Sequence, residues 1–285
     1  MRTIVITGGT DGLGRALALH HLSRGDRVIA VGSTPAKGRA LLHDAARRHP
    51  SAADRAAFHQ ADLTSAAATR RLAATLRHTH PRIDALVLCA QRYRLLGPRH
   101  LTPEGLEHNF ALAYLSRFLL SHDLRAALEA APRPVIMNVA TPGVPLGRIH
   151  WDDLQLTRGY SGTTATLQSF RANDLLGAAF AATHPRTPVR YITYNPGVVA
   201  TGMPDHLPQP LRTLTRAAFR LIAAPPDTAI APMCRLLDDP PAHPFTAYDR
   251  TRPLPLTRRA FDPEAALRLH RATRDLLDTL TPQEP

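Results

Sequence analysis

A chain of 285 residues with 44% hydrophobic content can fill one α/β core, and no stretch reaches the ~20 uninterrupted apolar residues of a membrane helix, so neither a membrane anchor nor a membrane partner is expected. Cys89 and Cys234, the only cysteines, are too few for a disulfide framework and lack metal-ligand spacing, which fits a cytoplasmic protein without a metal. The formal charge of +12 is nearly all arginine, dispersed along the chain with only 5% aromatic residues for base stacking, so no nucleic-acid partner is expected.

After Met1 and Arg2 the chain enters "TIVIT" (3–7), a β-rich run closed by glycines, with no apolar leader in front of it. "GLGRALALHHLSRG" (12–25) follows with apolar residues at helical spacing, giving strand, tight loop and helix. "RVIAVG" (27–32) is the next strand, 37–49 a helix, "AFHQADL" (57–63) a third strand and 65–80 another helix. "IDALVLCA" (83–90) is nearly continuous apolar sequence, as a strand buried on both faces requires. A long helix over 105–120, a strand over 133–140, a helix over 167–184 and a sixth strand over 189–197 complete the alternation. Strands and helices alternating at these lengths predict a Rossmann-type, doubly wound parallel sheet with helices on both faces, as one domain. A proline-framed helical segment at about 203–226 reads as a small substrate lid. The end is a helix that Asp262 caps and Pro263 opens, followed by a flexible tail over 280–285.

"TGGTDGLG" (7–14) lies between the first strand and the first helix, the context in which glycines signal a dinucleotide. Gly8, Gly12 and Gly14 permit the turn, the approach of a pyrophosphate and close helix–strand packing, with the phosphates at the helix N-terminus. Thr10, Asp11 and Leu13 lie in the same loop as further contacts. At the end of the second strand Gly32, Ser33 and Thr34 supply no carboxylate to grip ribose hydroxyls, while Lys37, and Arg39 beyond it, could meet a 2′-phosphate. This favours NADPH, with NADH as the second possibility.

With these motifs the chain resembles the short-chain dehydrogenase/reductase family, in the branch that includes retinol dehydrogenases and protochlorophyllide reductases, over essentially its whole length. The resemblance implies that Asp62 and Leu63 of "ADL" contact the adenine, that Ala90 lines the cofactor, and that Pro196, Gly197, Val199 and Thr201 of "NPGVVATGM" border the nicotinamide side. "WDDLQLTRGYSG" ahead of "QSFRAN" is similar to that branch's insertion and its Gln-Ser-Lys-Leu-Ala-Asn segment. The family's chemistry resides in Asn, Ser, Tyr and Lys, and here the matching positions hold Ala113, Thr141, Thr166 and Phe170. The Asn-Asn-Ala-Gly element has become "LCAQ", Leu88 to Gln91. Because Lys37 is the only lysine, no Tyr-x-x-x-Lys pair exists anywhere in the chain; Tyr248 and Arg252 have that spacing, but arginine does not give up its proton.

A threonine hydroxyl is too weak an acid to replace a lysine-tuned tyrosine, so Thr166 is no general acid. Reduction then needs a substrate that stabilises its own oxyanion, such as a carbonyl of a polycyclic aromatic polyketide hydrogen-bonded to a neighbouring phenol. The resemblance extends to atypical ketoreductases that tailor angucyclinone antibiotics. It implies an NADPH-dependent ketoreductase with a small polycyclic aromatic substrate, for which Gln91, Thr141, Tyr160, Thr166 and Met203 are the candidate contacts and Phe170 a packing surface. Tyr160 and His150 are read as packing rather than as replacement acids, Trp151 as a hydrophobic anchor, and His20 and His21 as partly solvated. Asn109, one turn before Ala113, is the weak candidate for a displaced relay. The competing readings are a non-redox cyclase or isomerase, and a regulatory protein that senses the nucleotide.

Overall fold

The computed structural model describes residues 1–197 and 226–280. Eight strands form one sheet in the order β3-β2-β1-β4-β5-β6-β7-β8, parallel except for the last pair. β1 (Thr3–Thr7), β2 (Arg27–Gly32), β3 (Ala56–Gln60), β4 (Ala85–Leu88), β5 (Val135–Val139) and β6 (Arg190–Asn195) are the six strands foreseen. β3 stops at Gln60 and β4 at Leu88, two to three residues earlier than the apolar pattern suggests, because the chain turns there into loops at the carboxyl edge. β4 is wholly buried, and Val5 of β1 sits between Ile29 and Leu86 in register, so the centre of the sheet is apolar on both faces. The strand order reverses between β1 and β4, and their carboxyl ends open the crevice where doubly wound sheets bind ligands.

On the faces lie α1 (Gly12–Ser23), α2 (Pro35–Arg48), α3 (Ala66–Thr79), α4 (His108–Phe110), α5 (Ser116–Asp123), α6 (Arg125–Glu129) and α7 (Gly162–Thr183). The single helix expected from 105 differs in two ways. It starts at His108, because Gly105 takes a φ of +78° and the Glu107 carboxylate caps the first turn, accepting from the Phe110 N–H at 2.7 Å. It then widens into π-helical turns over Ala111–Leu115, a distortion that concentrates at functional sites. α7 begins five residues earlier than expected, at the N-cap Ser161.

After the undescribed segment come α8 (Pro226–Ala229), α9 (Ala231–Asp238), β7 (Phe245–Asp249), β8 (Arg252–Pro253) and α10 (Pro263–Leu280). The expected lid lies outside the described residues except for Pro226, which opens α8, and so does the tail beyond Leu280. Tyr248 and Arg252, noted above only for their spacing, belong to a hairpin that β7 adds to β6, turning at Arg250 with φ +56°. The Asp262 cap is as foreseen, accepting from the Ala265 N–H at 2.7 Å.

His21 is a correction: it is fully buried, not partly solvated. Its Nδ1 lies 3.0 Å from Asp26, which also accepts from Arg2 at 3.0 Å, so the three side chains tie β1, α1 and β2 together at the amino end of the sheet. Among the described residues no helix is long and apolar enough to cross a membrane.

Candidate active site

The loop from β1 into α1 is shaped by contacts that leave no room for side chains. Gly8 has φ +65°, and a Cβ there would lie 3.0 Å from the backbone of Ala90; a Cβ on Gly14 would lie 2.4 Å from the Gly8 carbonyl oxygen. The loop therefore packs on the segment leaving β4 and against its own first turn of helix. Asp11 caps α1, accepting from the Gly12 N–H at 2.8 Å. Thr10 is buried against Gly32 at the end of β2, while Ser33 and Thr34 are exposed just beyond it. Lys37 reaches back to form an ion pair with Asp11, both side chains being more than half exposed. The only lysine thus already stands beside the dinucleotide loop.

Beyond the end of β3 an open cleft of about 310 Å³ is lined by His59, Gln60, Ala61, Asp62, Arg71 and Thr75, among others. It lies where the adenine end of a dinucleotide is expected. Asp62 stands at its mouth, accepting from the Thr64 N–H and hydroxyl at 2.9 and 2.8 Å. Leu13 and Leu63 are a correction of emphasis: both side chains are buried in the hydrophobic core, so only their main-chain atoms face the site. Pro196 and Gly197 follow β6, with Gly197 at φ +76° and its N–H donating to Asn195. Val199, Thr201 and Met203 lie outside the described residues.

The side chains at the positions that the resemblance aligns with the family's acid chemistry are engaged within the fold. Thr166 is buried and committed: its hydroxyl donates to the Gly162 carbonyl at 2.8 Å and accepts from Asn109 Nδ2 at 3.2 Å. It is therefore a helix-internal bond rather than the substrate contact expected. Asn109 is equally occupied, clamping Arg94 through both its N–H (2.9 Å) and its carbonyl (3.2 Å), which ends the idea of a displaced relay. Ala113 is buried in the π-helical turns, and its carbonyl accepts from Asn173 Nδ2 at 2.8 Å. Thr141 stands half-buried just past the end of β5, and Gln91 is exposed on the loop after β4. Tyr160 donates to Glu107 at 3.0 Å and fastens the insertion to the start of α4, while Trp151 is partly buried against the core under the Arg268 guanidinium. Phe170, at the lysine position, meets the edge of Tyr93 with ring centroids 5.3 Å apart and planes at 87°.

Two buried ionisable side chains here were not foreseen. Arg117 is 1% exposed and donates to Asn138 Oδ1 (2.6 Å), the Val139 carbonyl (2.8 Å), Asn173 Oδ1 (3.3 Å) and the Ala90 carbonyl (3.2 Å). One guanidinium thus ties together the carboxyl ends of β4 and β5 and the middle of α7. The available signal was a charge inside the apolar run "LSRFLL", masked by an arginine-rich composition. Asp174, 1% exposed on α7, accepts the Gly143 N–H on both oxygens at 3.2 and 3.1 Å, and Arg171 donates to the Val144 and Gly147 carbonyls at 3.0 Å each. Together they strap the segment after Thr141 to α7.

Burial pushes the Asp174 carboxyl up to about 8, against the smaller opposing pull of the Gly143 N–H and Arg171. A carboxyl whose pKa is raised in the fold binds its proton more tightly folded than unfolded, so its contribution is most favourable at low pH and declines as pH rises from about 4 toward 8. Asp174→Asn keeps an acceptor for Gly143 without the ionisation. Denaturant titrations should give parent and variant similar stability at pH 5, and the variant an advantage of about 4 kcal/mol at pH 9. Equal slopes of stability against pH would contradict the assignment.

A doubly wound parallel sheet with a glycine loop entering α1 and a crevice at its switch point defines a dinucleotide-binding α/β protein. The chain belongs to the short chain dehydrogenase family, whose pattern matches residues 2–211. It is 35% identical over 201 residues to a provisionally assigned daunorubicin C-13 ketoreductase, DnrU, of Streptomyces sp. (strain C5), covering 70% of this chain and 67% of that protein. It is 29% identical over 230 residues to mouse retinol dehydrogenase 14, covering 78% of this chain and 68% of the relative. Among solved structures, a metagenomic short-chain oxidoreductase in complex with NADP superposes with TM-score 0.62 at 23% identity, over 88% of this chain and 98% of that one. A short-chain dehydrogenase from Streptomyces avermitilis superposes with TM-score 0.62 at 19% identity, over 100% and 98%.

Proposed function

We propose that this oxidoreductase is a ketoreductase that uses NADPH to reduce a carbonyl of a polycyclic aromatic polyketide, of the angucyclinone kind, in antibiotic biosynthesis in the cytoplasm. The observation that carries the reading is the contrast within one crevice. The dinucleotide loop is intact down to the 2.4 Å approach that only glycine at 14 permits, while the acid position is sealed by the Thr166–Asn109 and Thr166–Gly162 bonds.

The residues fit a nicotinamide dinucleotide. The close-packed glycines leave the N-terminus of α1 open to a pyrophosphate, the Asp62 cleft suits the adenine, and Pro196–Gly197 borders the nicotinamide side. Ser33 and Thr34, just past the end of β2, offer no carboxylate to ribose hydroxyls, and Lys37, which now pairs with Asp11, is exposed and long enough to turn to a 2′-phosphate, which supports NADPH over NADH. Bound there, the nicotinamide supplies hydride. The chain contributes position: fixing the reacting groups is worth roughly 7–11 kcal/mol, whereas the missing acid forfeits about 10² to 10⁴ in rate. Thr141 and Gln91 border the site as oxygen contacts, and the final proton comes from the substrate's own phenol. A polyketide ketone with a neighbouring hydroxyl meets that demand, and DnrU carries the name of a daunorubicin C-13 ketoreductase.

A fluorescence titration of the purified protein with NADPH and NADH, followed by an anthraquinone, tests the reading. NADPH is expected to bind more tightly, and its reduced-nicotinamide signal to disappear on adding the quinone. Product formed without cofactor consumption would point to a non-redox enzyme, binding without oxidation of any polycyclic ketone to a sensor, and no binding of either nucleotide would end the redox reading.

A further inference from the structure

Tyr93 lies on the loop that follows the carboxyl end of β4, and its backbone is fixed from three sides. Ala90 abuts the cofactor loop at Gly8, Asn109 clamps the neighbouring Arg94 at both N–H and carbonyl, and Gly162 at the start of α7 packs on the carbonyls of Arg94 and Leu95. The ring stands edge-on against Phe170, the residue at the family's lysine position. Its hydroxyl is buried and finds no hydrogen-bond partner among the described residues. Buried phenols ordinarily have a partner, and leaving one without is costly. An ordered phenol whose hydroxyl is buried and unsatisfied, beside the residue at the family's lysine position, is a group arranged to meet an incoming atom.

We propose that Tyr93 is a further oxygen-binding residue of this site, beside Thr141 and Gln91: its phenol donates a hydrogen bond to the substrate carbonyl oxygen, doing from the β4 loop what position 166 of α7 no longer can, with Phe170 as the aromatic wall beside it. The inference rests on the ketoreductase reading for the identity of the substrate. Burial raises the phenol's pKa, so it stays a neutral donor at physiological pH. The positive charge of Arg117 acts the other way and sharpens the O–H as a donor to an oxygen gaining negative charge. Tyr93 thus stabilises that oxygen without having to surrender its own proton, which fits protonation from within the substrate.

The test compares the full-length parent with Tyr93→Phe, using 1-hydroxyanthraquinone, whose phenol neighbours a carbonyl, and its carbonyl-free counterpart 1-hydroxyanthracene as probes. The variant is expected to bind the quinone roughly tenfold more weakly and the anthracene equally well. NADPH affinity should be unchanged, and kcat for quinone reduction should fall about 10²-fold. Its melting temperature should equal or exceed the parent's, since the deleted hydroxyl has no partner. Unchanged quinone affinity and turnover would overturn the assignment, as would a variant that fails to fold or a parent that binds neither probe. A parent that binds the quinone without oxidising NADPH would overturn the ketoreductase reading instead, and the assignment of Tyr93 would then be decided by the quinone-to-anthracene binding ratio alone.

Discussion

Arg117→Leu is expected to destabilise the fold by about 3–5 kcal/mol and to lower the melting temperature by roughly 10 °C. Leucine fills part of the space of the fully buried arginine, so the void it leaves is not the main source of the loss. The loss comes mainly from the acceptors left behind. Asn138 Oδ1 and the carbonyls of Val139 and Ala90 lie at 2.6 to 3.2 Å from the guanidinium, and each loses its charged donor. Asn173 and Asn138 bond one another at 2.9 Å and cannot turn to replace it without breaking that contact. An unsatisfied buried acceptor costs about 1–3 kcal/mol, and several share one cavity here, so the sum is not simply additive. Arg117→Lys should recover little: an ammonium is a compact point charge and cannot span acceptors on β4, β5 and α7 as a planar fork does. Denaturant unfolding of the three proteins is the measurement. A leucine variant within 1 kcal/mol of the parent would show that the network is dispensable.

The legible and illegible parts of this chain follow from how far apart the interacting residues lie in sequence. β1, the glycine loop and α1 are contiguous, so "TIVITGGTDGLG" announces itself, and the apolar run of β4 identifies a strand buried on both faces. β7 and β8 were hidden because prolines flank a five-residue strand that gains its identity only by pairing with β6, more than fifty residues earlier. The proposed vacancy at the catalytic positions could be read from the family resemblance, since Gln168, Ser169 and Asn173 match its motif around Thr166 and Phe170. What stands in their place could not. Arg117 meets Ala90, Asn138 and Asn173 from three other elements, and Tyr93 meets Phe170 from 77 positions away in the numbering. No local pattern distinguishes those two side chains from the other arginines and tyrosines of the chain.

Gly14→Ala is expected to weaken NADPH binding about 100-fold, equivalent to about 2.7 kcal/mol, while shifting the melting temperature by only a few degrees. Gly14 lies in the first turn of α1 without a positive φ, so alanine is acceptable to the backbone there and has the better helix propensity by roughly 1 kcal/mol. Conformational strain therefore drops out, and what remains is the methyl group itself. It would sit 2.4 Å from the Gly8 carbonyl oxygen and 2.9 Å from its carbon, both main-chain atoms that cannot rotate aside. The loop has to move, and with it the N–H groups that would face the pyrophosphate. Gly25→Ala supplies the contrast: it has φ +88° and nothing within 4 Å of the added carbon, so it should lose stability through strain and leave cofactor affinity intact. Nucleotide fluorescence titrations and thermal melts of both variants separate the two effects. If Gly14→Ala bound NADPH as tightly as the parent, the pyrophosphate could not lie on this loop, and the dinucleotide would have to be sought elsewhere in the crevice.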